Sequence, residues 1–289
     1  MSDLITSFLL EGQQAGKRYR LASTRHSPQG TAGIQLGRLA GESLEFMDHR
    51  EYQPGDDLRR IDWSAFARSD KMVVNLYRQE VSLHLDLLLD GSRSMGLDGT
   101  EKTRAAAGLA AALCTAAANA GHTYRVFLTG NGCHPILGGS APASQWHGIF
   151  FDGQESPQDS LRAMPPVWRP HGIRILISDL LWLGDPRDLL SKMAERAAAV
   201  SVIQVLATED IRPNARGSTR LIDTETGTEQ EIFLDDAALA RYRANVDRHR
   251  ENWRQASNQL GAAFVSLVAE DLCVDWNLWP LMEAGILDV

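Results

Sequence analysis

The sequence predicts an α/β fold: a doubly wound, mostly parallel sheet of six strands with helices on both faces, preceded by a small β-rich subdomain. From residue 81 onward, short apolar runs alternate with longer segments of helical periodicity, which is the pattern of strands and crossover helices. The first 80 residues hold many Gly, Arg and Asp residues in short alternating runs, which is typical of turns and small strands. We therefore predict a leader subdomain over residues 1–80 and an α/β domain over residues 81–289.

The α/β domain divides into six strands and their connections. In chain order the predicted elements are strand one over 83–89, a helix over 102–120, strands two and three over 124–129 and 133–137, a helix over 157–164, strand four over 173–178, a helix over 186–199, strand five over 202–207, a hairpin over 220–234, a helix from an Asp235 cap to Gly261, and strand six over 263–267. The expected strand order across the sheet is 3-2-1-4-5-6.

The first of these elements follow from composition and turn residues. Strand one is apolar enough to be buried on both faces, as central parallel strands are. The helix after it consists almost wholly of helix-favouring residues and ends at Gly121, a good left-handed cap. Strands two and three flank the short turn Gly130-Asn131-Gly132, which predicts a hairpin and hence an antiparallel edge strand.

The later elements are predicted by similar signals. The helix at 157–164 stops before two consecutive prolines. Strands four and five are apolar and rich in β-branched residues, and the segment between them reads as a helix that begins at Pro186. The hairpin alternates around Thr224-Glu225-Thr226-Gly227. In the last long helix, apolar residues from Leu239 to Leu260 recur at spacings of three and four, so one stripe should face the sheet.

Composition and charge limit the classes of protein. With 289 residues, 44% of them hydrophobic, the chain can bury a sizeable core. The 29 basic and 37 acidic residues give a net charge of -8, which opposes binding to the phosphates of nucleic acid. The longest apolar stretch, residues 105–118, is shorter than the roughly 20 residues of a transmembrane helix. Neither nucleic-acid binding nor a membrane span is predicted.

The cysteines and the first residues of the chain bear on its location. Cys114, Cys133 and Cys273 lie far apart and form no CxxC pair, which fits a reducing compartment and offers neither a zinc site nor a disulfide framework. The N-terminal segment has no cationic residue ahead of its apolar residues, as a secretory signal would have. A cytoplasmic location is predicted.

Polar side chains follow two strands that the predicted order makes neighbours. Asp90, Ser92 and Ser94 come after strand one, and Asp179 comes after strand four. Ligands of open α/β sheets bind outside the carboxyl ends of the strands where the strand order reverses, so these four residues should share one crevice. Carboxylates, hydroxyls and waters suit Mg²⁺ or Mn²⁺ rather than zinc or copper. The sequence therefore predicts a metal site, with an open position for a partner's carboxylate.

Two segments resemble known families. The pattern Asp90-x-Ser92-x-Ser94 after a buried strand resembles the metal-ion-dependent adhesion site of von Willebrand factor A domains, and Asp179 matches that motif's later aspartate. A leader segment resembles the signature upstream of the A domain in the bacterial "domain of unknown function 58" family. It reads Arg50-Glu51-Tyr52-Gln53-Pro54-Gly55-Asp56-Asp57-Leu58-Arg59-Arg60-Ile61-Asp62-Trp63, followed by Ala67-Arg68.

This resemblance covers the chain from about Gly30 to Val268 and includes Asp223-x-Glu225-Thr226-Gly227 in the hairpin. It implies a von Willebrand factor A-like fold, the metal ligands named above, and a partner, because family members commonly accompany MoxR-type AAA+ ATPases. The implied function is that of a cytoplasmic adaptor or chaperone-like partner of such an ATPase. The adhesion-site pattern also expects a threonine before strand four, where this chain has none between Thr129 and Thr208; Ser156 could supply a hydroxyl instead.

Simpler and competing interpretations exist for the same residues. The loop after strand one could be a turn whose side chains cap the next helix, and the leader's Arg and Asp residues could simply pair with one another. An α/β serine hydrolase is the alternative function. The segment Ser92-Arg93-Ser94-Met95-Gly96 is close to the GxSxG pattern of a nucleophile elbow, and the chain order Ser94, Asp179, His249 is that of a hydrolase triad. However, His249 falls within a helix rather than in a loop after a late strand. No P-loop or HExxH pattern occurs, and a non-enzymatic function is predicted.

Overall fold

The computed structural model describes residues 2–22, 44–54, 56, 61–79, 83–224 and 227–289. Within them the α-helices are α1 (Ser2–Gly16), α2 (Trp63–Ser69), α3 (Lys102–Asn119), α4 (Pro157–Ala163), α5 (Pro186–Ala194), α6 (Thr208–Ile211), α7 (Asp236–Gln259), α8 (Ala269–Asp275) and α9 (Trp279–Glu283). The strands are β1 (Arg20–Leu21), β2 (Leu44–Glu51), β3 (Val73–Gln79), β4 (His84–Asp90), β5 (Thr123–Thr129), β6 (His134–Pro135), β7 (Ile173–Ser178), β8 (Ala199–Leu206), β9 (Gly217–Ile222), β10 (Glu229–Leu234), β11 (Ala263–Val268) and β12 (Leu287–Asp288).

The chain divides into two compact units, residues 1–25 with 83–289 and residues 26–82. The first unit is built on a six-stranded sheet in the order β11-β8-β7-β4-β5-β6. All neighbouring pairs are parallel except β5 and β6, which pair antiparallel at the edge. This confirms the α/β class, the six-stranded and mostly parallel sheet, the predicted strand order and the antiparallel third strand.

Side chains of the central strands alternate between two hydrophobic clusters, one on each face of the sheet. Leu87 and Leu89 of β4 belong to the cluster that includes residues of α1, α3 and α8. Leu88 belongs to the other cluster, with residues of α4, α5 and α7. Every residue of β4 is buried, because helices cover both faces of this strand.

The N-terminal helix α1 corrects the prediction that turns and short strands fill the first 80 residues. It buries Ile5, Leu9 and Ala15 in the same cluster as the alanine-rich helix α3. A Cβ built on Gly12 would lie 1.8 Å from the backbone oxygen of Gly108, so the two helices approach closely because Gly12 lacks a side chain. Residues assigned by sequence to the leader thus pack in the first unit.

Helix α5 is shorter than predicted. The alanine run 197–199 favours a helix by propensity, but α5 ends at Ala194 and Arg196 takes a left-handed backbone conformation with φ of 54°. Ala199 then pairs with Ile173 as the first residue of β8. Sheet pairing outweighs local propensity here, and strand five begins three residues earlier than predicted.

A surface hairpin, β9 and β10, lies between β8 and α7 as predicted. Its turn residues Glu225 and Thr226 fall outside the described residues. Strands β1 and β12 form a separate two-stranded pair. Within the described residues, no helix has the length and hydropathy that a membrane crossing requires.

The second unit contains an antiparallel pair, β2 and β3, with a register shift between Phe46 and Asp48. Helix α2 precedes β3, and Asp62 caps it by accepting hydrogen bonds from the backbone N–H groups of Ser64 and Ala65. The predicted pairing of Arg50 with Asp56 is present at 2.7 Å. The motif residues Gly55, Asp57, Leu58, Arg59 and Arg60, and also Gly30, lie outside the described residues.

Candidate functional site

The predicted site residues lie at one edge of the sheet. Asp90 is the last residue of β4, and Asp179 directly follows β7, which is hydrogen-bonded to β4. Ser92 and Ser94 lie just beyond β4, where a 3₁₀ turn covers Arg93–Gly96, and their hydroxyl oxygens are 3.0 Å apart. The structure therefore brings the carboxyl ends of these neighbouring strands, and the polar residues on them, to the same crevice.

Asp90 is a fully buried carboxylate. Its Oδ2 accepts a hydrogen bond from the hydroxyl of Ser178 at 2.6 Å, and its Oδ1 accepts one from the backbone N–H of Ser92 at 3.0 Å. Among the described residues, no basic side chain forms a salt bridge with it. Burial and the nearby charge of Asp179 raise the pKa of Asp90 to about 7, although the hydrogen bonds favour the ionised form.

Asp179 has a cationic partner that the sequence did not reveal. Its Oδ2 accepts a hydrogen bond from the ammonium of Lys102 at 2.6 Å, and its Oδ1 accepts one from the backbone N–H of Leu181 at 3.1 Å. The Lys102 side chain is only 1% exposed. Burial lowers the pKa of Lys102, but Asp179 and Asp210 raise it by more, so the pKa lies above its ordinary value and the amine stays protonated.

Asp210 completes a set of four charged residues at the crevice. Its Oδ2 lies 3.2 Å from the ammonium of Lys102 and accepts a hydrogen bond from the backbone N–H of Ala207 at 2.9 Å. Its backbone oxygen accepts a hydrogen bond from the hydroxyl of Tyr242 in α7. We call Asp90, Asp179, Asp210 and Lys102 the charge cluster. With every member ionised, three carboxylates and one ammonium give it a formal charge of -2.

The backbone after Asp179 is strained. Leu180 is a buried, non-glycine residue with φ of 61°, a conformation that costs about 1 kcal/mol or more. Its N–H donates to the hydroxyl of Ser178 at 3.0 Å, and its carbonyl oxygen lies 2.5 Å from Nε2 of His249 in α7. These contacts hold the strained residue and thereby fix the position of Asp179.

The loop after β4 is supported by the segment around Gly153. The backbone N–H of Arg93 donates to the carbonyl of Gly153, and the N–H of Gly153 donates to the carbonyl of Gly91, both at 2.9 Å. A Cβ on Gly153 would lie 2.5 Å from Cα of Gly130. Glycine is required at this crossing because the three backbone segments touch, and the contact fixes the direction of the loop that carries Ser92 and Ser94.

The donor groups at the crevice fit a hard divalent cation. They are carboxylate and hydroxyl oxygens, and Mg²⁺ binds through one or two carboxylates while keeping several waters. Among the described residues, no three His, Cys, Asp or Glu side chains form a group that could hold a metal, so an ion here would rely on serine hydroxyls and water as well. Ser156, the predicted substitute for threonine, instead caps α4: its hydroxyl accepts from the N–H of Asp159 and donates to that residue's carboxylate.

The three residues of the alternative hydrolase triad are engaged elsewhere. The hydroxyl of Ser94 pairs with Ser92, and the carboxylate of Asp179 pairs with Lys102. Nε2 of His249 lies 2.5 Å from the carbonyl oxygen of Leu180 and 3.2 Å from the indole nitrogen of Trp253. No hydrogen bond joins the three residues, all of which the structure describes, so no observation favours the hydrolase.

Comparisons with known proteins identify relatives of the chain. A family model described as "Protein of unknown function DUF58" matches residues 48–252. Uncharacterized proteins of Mycobacterium bovis and Mycobacterium tuberculosis are 26% identical to it over 251 residues, which is 81% of this chain and 78% of theirs. The family match confirms the resemblance to the "domain of unknown function 58" family that the leader segment carries.

Two solved structures are also similar. One is the crystal structure of the conserved hypothetical protein BatB from Bacteroides thetaiotaomicron, at 13% identity and a TM-score of 0.34, covering 70% of this chain and 98% of that one. The other is an aerotolerance-related membrane protein from Bacteroides fragilis, at 12% identity and a TM-score of 0.35, covering 62% and 98%. The description of the second as a membrane protein contradicts the cytoplasmic location predicted from the sequence, and that prediction is withdrawn.

Proposed function

Since the chain belongs to the family described as protein of unknown function DUF58, we propose its function from the crevice itself: non-enzymatic, metal-dependent binding of a protein partner. Asp90, Ser92, Ser94 and Asp179 would hold Mg²⁺ or Mn²⁺ directly or through water. When bound, the ion supplies a positive charge to which a carboxylate of the partner binds. The fold is then of the von Willebrand factor A type, with its adhesion site at the end of β4.

The observation that carries this proposal is the buried carboxylate of Asp90, which has no cationic partner among the described residues. A buried ionised carboxylate is costly unless a positive charge compensates it. Lys102 compensates Asp179 and Asp210, yet the charge cluster retains a formal charge of -2. One divalent cation beside Asp90 would neutralise the cluster.

Exposed apolar side chains on the loops of the crevice favour a protein as the partner. They form what we call the apolar rim: Leu97, Phe150, Leu181 and Leu183. Leu183 is fully exposed, and Leu181 is bonded through its backbone to Asp179. Large exposed apolar side chains around a polar site are typical of protein-binding surfaces. The rim would contact apolar residues that flank the partner's carboxylate.

The partner we propose is a MoxR-type AAA+ ATPase, because members of the family that the sequence resembles commonly accompany one. The chain would act as its adaptor or as a chaperone-like partner. ATP hydrolysis would belong to the ATPase, since the sequence has no P-loop.

The experiment measures binding of the full chain to a MoxR-type ATPase from the same genome by biolayer interferometry, in Mg²⁺ and in EDTA. We expect binding in Mg²⁺ that is lost in EDTA and lost in Asp90→Asn, which keeps the size and shape of the side chain but removes its charge and replaces one acceptor oxygen with an NH₂ donor. Asp98→Asn is the matched control, because Asp98 is exposed and lies in the same loop. It should bind as the wild type does.

A second pair of variants tests the apolar rim. Leu183→Ser should weaken binding by tenfold or more, roughly the contribution of a buried leucine. Val167→Ser is its control, because Val167 is also highly exposed but precedes β7, at the opposite edge of the sheet. Binding that persists unchanged in EDTA and in Asp90→Asn would contradict the proposed function.

A further inference from the structure

Lys102 is an unusual residue for its position. It is the first residue of α3, where a lysine ordinarily extends into solvent, and yet its ammonium is buried between Asp179 and Asp210 at 2.6 and 3.2 Å. Burying a lysine ammonium costs several kcal/mol unless carboxylates compensate it. In this protein the buried ammonium lies at the edge of the crevice where a cation would bind.

The ammonium is placed asymmetrically in the charge cluster. It contacts Oδ2 of Asp179 and Oδ2 of Asp210, whereas Asp90 has no cationic partner in the part of the chain that the structure describes. The remaining oxygen of Asp179 accepts a backbone N–H, and each oxygen of Asp90 likewise accepts one hydrogen bond. The two carboxylates differ in their cation: Lys102 lies on the Asp179 side of the crevice and forms no salt bridge with Asp90.

We propose that Lys102 is a built-in cation that sets the charge of the site, so that the crevice takes a single divalent ion on the Asp90 side. This inference rests on the proposed function, because it concerns the same metal. Lys102 is a positioning residue: it holds Asp179 and neutralises it together with Asp210, and it does not itself bind the metal or the partner.

A different account makes Lys102 only a structural ion pair that anchors α3 to β7. Both accounts predict that its removal destabilises the protein, because two carboxylates would lose their cation. They differ in the metal affinity. If the ion pair is only structural, it lies outside the electrostatic reach of the metal, and the metal affinity does not follow the charge of the cluster. A built-in cation beside the metal requires that the affinity does follow it.

The test is a charge series in the full chain, titrated with Mn²⁺ by calorimetry. Lys102→Met changes the formal charge of the cluster from -2 to -3, Asp210→Asn changes it to -1, and the double variant restores -2. Relative to wild type, we expect Lys102→Met to bind Mn²⁺ about tenfold more tightly or better, and Asp210→Asn about tenfold more weakly or worse, since these charges interact over a few ångströms in a poorly solvated site. The double variant should lie within about threefold of wild type.

Tb³⁺ gives an independent measure, because its radius suits oxygen ligands and its charge is +3. The ratio of Tb³⁺ affinity to Mn²⁺ affinity should rise in Lys102→Met and return to the wild-type value in the double variant. General loosening of the fold would change both affinities and not their ratio. Lys17→Met is the control: Lys17 is exposed and its ammonium donates a hydrogen bond to the side-chain oxygen of Gln14.

Affinities that do not follow the order of charge overturn the proposal about Lys102. If Lys102→Met yields no folded protein, Asp210→Asn and the double variant decide by the same criteria. If the wild type binds Mn²⁺ and every variant binds it with an affinity within threefold of the wild type, the proposed function stands and the role of Lys102 does not. Wild type that binds no Mn²⁺ while Lys102→Met does so would mean that Lys102 takes the place of the ion, which overturns both the metal step of the function and the single-ion site proposed here. No binding by any of them overturns both.

Discussion

The surroundings of Asp90 favour its ionised form only when a cation is bound beside it. Burial and the neighbouring Asp179 oppose its ionisation, while the hydroxyl of Ser178 and the N–H of Ser92 support it. The opposing contributions leave its pKa at about 7, so near neutral pH a bound cation competes with a proton for the same oxygens.

The raised pKa of Asp90 makes the stability of the metal-free protein depend on pH. The folded pKa, about 7, lies above the ordinary value of 3.8, so the stabilising contribution is fully present below about pH 4 and is lost as pH rises through 7. In EDTA, Asp90→Asn should therefore be more stable than wild type at about pH 8, by on the order of a few kcal/mol, and nearly equal to it at about pH 4. Denaturant unfolding at both pH values measures the difference. A difference independent of pH would show that Asp90 is not the titrating group.

The candidate site could be predicted from sequence only in part. Asp90 and Asp179 were predicted to meet because strand order dictates which strand ends are neighbours, and the structure brings them to one edge. Lys102 was missed, because a lysine beside Glu101 at a helix start has the sequence pattern of a solvated residue. Asp210 was missed as well, since it follows β8 in a short helix without a recognisable motif. Pairings made only by tertiary contacts leave no local signal.

Helices α1 and α3 pack through a contact that tolerates no side chain. An alanine at Gly12 would favour the helix by about 1 kcal/mol by propensity. Its Cβ, however, would meet the backbone of Gly108 at 1.8 Å, and backbone cannot rotate away as a side chain can. The steric cost exceeds the gain, so we expect Gly12→Ala to destabilise the protein by about 2 kcal/mol or more.

Denaturant unfolding of Gly12→Ala beside Gln14→Ala measures this cost. Gln14 is exposed on the same helix, so its replacement by alanine creates no clash and changes helix propensity only slightly. We expect Gln14→Ala to remain close to wild type in its free energy of unfolding. Equal stability of the two variants would mean that α1 does not pack on α3 as described.

Elements of the sheet were predictable, because apolar runs and short turns identify strands locally. β7 matches its predicted bounds, and the turn at 130–132 does connect β5 to an antiparallel edge strand. The end of α5 and the existence of α1 were not predictable in this way. The alanine run after Arg196 favours a helix by propensity, but the pairing of β8 with β7 makes its last residue part of a strand. Helix α1 is stabilised by burial against α3. Both depend on partners distant in sequence.

The architecture of the first unit explains where a binding site can form. Helices on both faces bury the sheet, so its polar groups and loops are accessible at the strand ends. The order β8-β7-β4-β5 makes β4 and β7 neighbours at the point where the connections change direction. The same edge carries the strained Leu180 and the apolar rim, both on loops fixed by the buried strands.

The metal site at Asp90 is tested by calorimetric titration of the full chain with Mn²⁺ at about pH 8, beside Asp90→Asn and the exposed control Asp98→Asn. Circular dichroism checks that all three are folded. We predict saturable binding of one ion by the wild type and by Asp98→Asn, and none by Asp90→Asn, because the carboxylate that lacks a cation has been removed. Equal Mn²⁺ binding by Asp90→Asn, or no binding by the folded wild type, would contradict the account.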